Sequence, residues 1–147
     1  NKLIAFDMQI NNPNSWPSIT FCAQDSMGSY KTDSTYMIGF KKDHIELQRF
    51  NKGERTMIFG NDPAFTPVGG PGIPNPEDDP VYEYGKTCSV IVGALDTEEG
   101  TRVVLTINGE NMFDFLDTDE NALPASGYFG IYNPGDFTFS PYSGKTN

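Results

Sequence analysis

The chain has 147 residues, and its 10 Lys and Arg stand against 20 Asp and Glu, a net charge of −10. That length supports one domain with a real core, spanning 1–147. A field of that sign repels a phosphate backbone, and no Lys/Arg cluster exists to meet an anionic membrane, so neither nucleic acid nor membrane is expected as a partner.

Leu3 to Ile10 alternates, with Ile4, Phe6, Met8 and Ile10 on one face, and predicts a half-buried strand. Asn11 to Pro17 is turn chemistry around Trp16. Ser18 to Asp25 alternates again, Ile19, Phe21 and Ala23 opposing Thr20, Cys22 and Gln24. Ser26 to Thr35 is polar and reads as a loop. Strands follow at Tyr36–Lys41 and Ile45–Phe50, joined by Lys42-Asp43-His44. In the second, Ile45 and Leu47 share one face while Glu46, Gln48 and Phe50 share the other. Asn51 to Glu54 predicts a hairpin loop and Arg55 to Phe59 the returning strand.

Gly60 to Pro80 holds six prolines and Gly69, Gly70 and Gly72, which excludes a central strand or a helix. Loops of this length in a compact domain are usually functional or mobile. Thr87–Ala94 is a strongly apolar strand, and Arg102–Ile107 and Asn111–Phe115 form a hairpin through Asn108-Gly109, a dipeptide suited to a type I′ turn. Asp117 to Ser126 is an acidic loop; strands at Tyr128–Tyr132 and Phe137–Ser140 end the pattern. About ten short strands with no sustained helical period predict an all-β fold of two packed antiparallel sheets. The 37% hydrophobic content fits one buried layer between polar outer faces.

Cys22 and Cys88 each sit in a predicted strand, spaced as no metal motif; a cross-sheet bridge and two half-buried thiols are both open. His44, the single histidine, lies beside Asp43 in a turn and reads as a solvated residue rather than a catalytic base. No Gly-x-Ser-x-Gly elbow is present, and Gly69-Gly70-Pro71-Gly72 lacks the Lys-Ser/Thr of a phosphate loop.

Val103-Val104-Leu105-Thr106-Ile107-Asn108-Gly109 resembles the penultimate hairpin of concanavalin A-like and laminin G-like sandwiches, and Gly127-Tyr128-Phe129-Gly130-Ile131-Tyr132 resembles the strand that follows it. Tyr36 to Phe50 looks like a segment of jelly-roll domains appended to secreted bacterial polysaccharide-degrading enzymes. The resemblance implies a two-sheet antiparallel jelly-roll sandwich, concanavalin A-like, with one concave sheet facing a glycan. It implies a monomeric carbohydrate-binding module of a longer secreted or cell-surface protein, with polysaccharide or oligosaccharide as partner. A laminin G-like protein-binding module is the alternative, and a polysaccharide lyase or hydrolase the third reading. The enzymatic branches are disfavoured by their own signatures. No strand carries the Glu-x-Asp-x-x-Glu spacing of β-glucanases, and the Gln-Ile-His motif and paired-Arg strand of alginate lyases are missing.

Sugars are bound by stacking an aromatic ring on their C–H face while planar polar groups hold the hydroxyls. Trp16, in a loop between strands, is the first candidate, set against a Trp-Pro pair that merely caps the sandwich edge. Glu46, Gln48 and Phe50 form a second, outward-facing set, set against a polar face with one packed ring. Gln24, Lys41 and Arg49 lie on or beside the same sheet, and Tyr84 flanks the long loop. Lys41, Lys42 and Arg49 leave an acidic ligand open despite the net charge. The alternating oxygen side chains Asp117, Asp119 and Asn121 suggest a structural Ca²⁺ ion, although no EF-hand glycine or closing glutamate follows.

Overall fold

The computed structural model describes residues 1–12, 15–25 and 29–147. The first sheet has the order β11-β1-β7-β8-β9, built from β1 (Lys2–Ile10), β7 (Thr87–Asp96), β8 (Thr101–Ile107), β9 (Glu110–Asp117) and β11 (Phe137–Ser140). The second has the order β10-β2-β3-β4-β5, from β2 (Ser18–Ala23), β3 (Thr35–Phe40), β4 (His44–Asn51), β5 (Glu54–Phe59) and β10 (Tyr128–Tyr132). All these pairings are antiparallel. The chain is therefore an all-β sandwich of two antiparallel sheets. The expected turns at 11–17 and 26–35 lie partly outside the described residues, which omit Pro13, Asn14, Ser26, Met27 and Gly28.

The alternation read from the sequence becomes the core. Met8, Ile10, Val90, Val92, Leu105 and Ile107 of the first sheet meet Ile19, Phe21, Tyr36, Ile38, Phe40, Ile45 and Leu47 of the second. Burying each such side chain is worth about 1.5–3 kcal/mol. Asn108 and Gly109 have φ of 49° and 78°, the two left-handed residues a type I′ hairpin requires. Lys52 and Gly53, with φ of 49° and 84°, make a second turn of the same kind. Within the proline-rich segment Ile73–Pro74 forms a two-residue strand, β6, which pairs with His44 and Ile45 where β5 has ended.

Alternation fails at Cys22. The pairing of β10 with β2 slips between Tyr128 and Gly130, and Cys22 takes φ of 55°, which turns its thiol inward instead of out. Cys22 lines a small cavity with Val92 and Ala94, while Cys88 lies four to six residues back along β7. At ~3.3 Å per residue that is roughly 13–20 Å, beyond disulfide reach. Both thiols are free and buried. Burial pushes Cys22 up to about 11 and Cys88 up to about 12, so neither is a nucleophile at neutral pH.

On the outer face of the first sheet the last residues of the chain lie over Asp7 and Ser89. Asp7, buried, accepts hydrogen bonds from Ser89 Oγ (2.6 Å), Ser143 Oγ (2.6 Å) and Ser143 N (3.1 Å), and Lys145 N donates to Ser89 Oγ at 2.7 Å. Burial works to raise the Asp7 pKa, but the serine hydrogen bonds outweigh it and hold the carboxyl below its ordinary range.

Candidate functional site

β4 is buried on both faces, and its two polar clusters differ in kind. On the inner side Arg49 Nη1 donates to both oxygens of Asp117 at 2.8 Å, and Arg49 Nε donates to Asn51 at 2.9 Å. The Tyr36 hydroxyl donates to Asp117 Oδ2 at 2.7 Å and accepts from Leu123 N at 3.2 Å. Burial and the Asp117 carboxylate push the Tyr36 phenol far up, so it stays a neutral donor. This cluster joins the two sheets. Arg49 is thus a structural residue, not a sugar ligand, because the register that sends Leu47 inward sends Arg49 inward too.

The same cluster decides the acidic loop. Arg49 Nη2 stands 3.4 Å from Asp119 Oδ1, so the guanidinium already sits between Asp117 and Asp119. Asn121 uses its backbone N–H on Asp119 and its carbonyl on Asn51. A Ca²⁺ ion placed on those oxygens would meet a buried cation, and the donor set does not fit one.

The outer side of β4 begins at His44. Its Nδ1 is 2.6 Å from Asp43 Oδ1 and its Nε2 is 3.0 Å from Glu46 Oε2. It is buried rather than solvated, because Gly72 of the proline-rich segment lies on its ring. A Cβ on Gly72 would come within 2.5 Å of His44 Cδ2. The His44 hydrogen bond holds the Asp43 carboxyl below its ordinary range. Gln48 Nε2 then donates to Glu46 Oε1 at 3.2 Å. That bond fixes the amide's orientation and leaves Gln48 Oε1 with no hydrogen-bond partner among the described residues, though the side chain is buried.

Gln48 belongs to the floor of a groove. Cross-strand register places Met37, Gln48 and Met57 in one row, Tyr132, Ser18, Gly39 and Glu46 in the next, and Phe50 with Arg55 in a third. Gly39 keeps the floor low between Ser18 and Glu46. Tyr30 overhangs, its ring 5.2 Å from Phe50 and 4.9 Å from Tyr132, both edge-on. Trp16 stands at the rim, 53% exposed, with the Lys41 ammonium 3.1 Å from its ring centroid. Ser15, Trp16, Tyr30, Gln48, Arg55 and Tyr132 are among the residues enclosing about 300 Å³.

The expected set is therefore split. Trp16, Lys41 and Gln48 come together at this groove, and Glu46 stands in the neighbouring row, hydrogen-bonded to Gln48. Phe50 is not an exposed ring: Tyr30 and Arg55 cover it, and it is 2% exposed. Gln24 lies six residues beyond Ser18, roughly 20 Å along the strand, and donates to Cys22 O and Ser126 O. Tyr84 donates to Phe40 O and lines a different cavity, of about 590 Å³, with Asn75 and Glu83; Tyr82 is core. Tyr30, Arg55 and Tyr132 were missed. Arg55 was within reach of the sequence, since a two-residue Lys52-Gly53 turn dictates the Phe50–Arg55 pair. Tyr30, in a polar loop, gave no signal.

No protein-family model and no curated protein matches the chain. Among solved structures it is similar to the carbohydrate binding module CBM66 from Bacillus subtilis, with a TM-score of 0.55 and 16% identity over 95% of this chain and 71% of that one. At that identity the likeness is one of fold alone, a sandwich of two antiparallel sheets.

Proposed function

We propose that this domain is a non-catalytic carbohydrate-binding module, of the concanavalin A-like kind, that targets a larger secreted or cell-surface protein to polysaccharide. The observation that carries the reading is the groove. It offers an exposed indole, two tyrosines and a carboxamide with a free acceptor on one sheet face of the sandwich, which is the chemistry a pyranose needs. The fold it shares with a carbohydrate-binding module supports it. His44, the one imidazole, is sealed beneath Gly72 and held by two carboxylates, which suits positioning Glu46 and Gln48 better than proton transfer to a ligand. A glycan array with the purified domain tests the reading. Retention of a glycan class, weakened about tenfold by Trp16→Ala or Gln48→Leu with folding intact, supports it. A blank array, or product release from a bound glycan, contradicts it; the blank array returns the laminin G-like protein-binding alternative.

A further inference from the structure

The groove's electrostatics run against those of the whole chain. The protein carries −10, yet among the described residues no Asp or Glu lines this cavity. Two carboxylates adjoin the lining, and both are engaged: Glu46 by His44 and Gln48, Asp136 by Ser15 and Asn12. Among the described residues no ion pair takes the cations of the groove, and only Lys41 is felt by a carboxylate, that of Asp43. Arg55 lies against two rings, 5.4 Å from the centroid of Phe50 and 5.3 Å from that of Phe65, and among the described residues no hydrogen bond or ion pair takes its guanidinium. Lys41 rests on Trp16, and Lys31 is 6.0 Å from the Tyr30 ring centroid. Each of these cations lies against an aromatic ring at the groove. A guanidinium lying over rings keeps N–H groups for an oxyanion, whether a planar carboxylate or a tetrahedral sulfate. Gln48, 3% exposed, adds on the same floor an acceptor unpartnered among the described residues.

Resting on the saccharide reading above, we propose that the groove selects an anionic saccharide, a uronic acid or sulfated sugar. Its oxyanion meets the Arg55 guanidinium, a neighbouring hydroxyl donates to Gln48 Oε1, and Trp16 takes the ring's apolar face. Ionised carboxylate and sulfate share this chemistry, and the probes separate them.

The experiment is a binding titration of the whole domain against oligogalacturonate and its fully methyl-esterified form, and against dextran sulfate and dextran. An array of uronic-acid, sulfated and neutral oligosaccharides accompanies it. Wild type is expected to prefer the anionic member of one pair by about tenfold or more. Arg55→Met should erase the preference and Arg55→Lys keep part of it. The wild-type pairs alone decide the matter if Arg55→Met does not fold. Equal binding of charged and uncharged members, or array hits confined to neutral sugars, overturns the proposal and leaves the saccharide reading standing. A preference that Arg55→Met retains, with its fold intact, also overturns it as non-specific ion exchange. A blank array removes both.

Discussion

Gln48 and Arg49 are consecutive residues of one strand, each 3% exposed, and they illustrate two uses of a buried polar group. Arg49 points between the sheets, where Asp117, Asn51 and Thr56 answer its N–H groups. Gln48 points to the outer face, where one of its two polar atoms has no partner among the described residues. A satisfied cluster between sheets is structure. An orphaned acceptor on the floor of a groove costs about 1–3 kcal/mol, and a ligand hydroxyl recovers that. Burial did not separate the two residues; the completeness of their hydrogen bonding did.

The largest effect that can break this contrast is on the inner side. Asp117→Ala leaves Arg49 buried with only the more exposed Asp119 for a counter-charge, and is expected to cost about 3–5 kcal/mol in denaturant unfolding. A loss below 1 kcal/mol would remove the structural assignment of that pair, on the same principle. Next comes Phe50→Ala. Tyr30 and Arg55 cover the ring, so about 3 kcal/mol of stability should go with it. A stable Phe50→Ala variant would mean that the outer face is open, as simple alternation implies.

Such alternation made the sandwich legible and the site only half so. Period-two runs placed the strand cores from Ile4 to Phe139 because one face of each is apolar. The same logic assigned Glu46, Gln48 and Phe50 correctly to the outer face but equated outer with exposed. It could not see that Tyr30 and the Gly72 segment fold back over that face, since loops carry no periodicity. Cys22 shows the second limit: one bulge reverses a side chain that parity places outside. Arg49 shows the third. Parity with Leu47 assigns it to the core, but a charge there is credible only once Asp117, distant in sequence, is known to face it.

Smaller effects sharpen the contrast. The Asp7 carboxyl is held below its ordinary pKa, so its contribution is complete above about pH 3.9 and is lost as pH falls through the lower folded value. The tail from Ser143 should therefore detach only in acid, read as faster amide exchange at Ser143 and Lys145 below that pH. Unchanged protection in acid would contradict it. Smallest of all is the effect of chelation. With Arg49 standing between Asp117 and Asp119, excess chelator should leave the melting temperature where it was; a downward shift would place a cation in the loop after all.

The most direct test uses Trp16, the single tryptophan, as the groove's own reporter. Titration with a glycan that the domain retains should change Trp16 emission saturably and shield it from a neutral quencher, with the same midpoint as binding. Gln48→Leu should move that midpoint about tenfold, while Asp119→Ala should leave it unmoved. Firm glycan binding with no change in Trp16 emission or quenching would put the site on another surface of the sandwich.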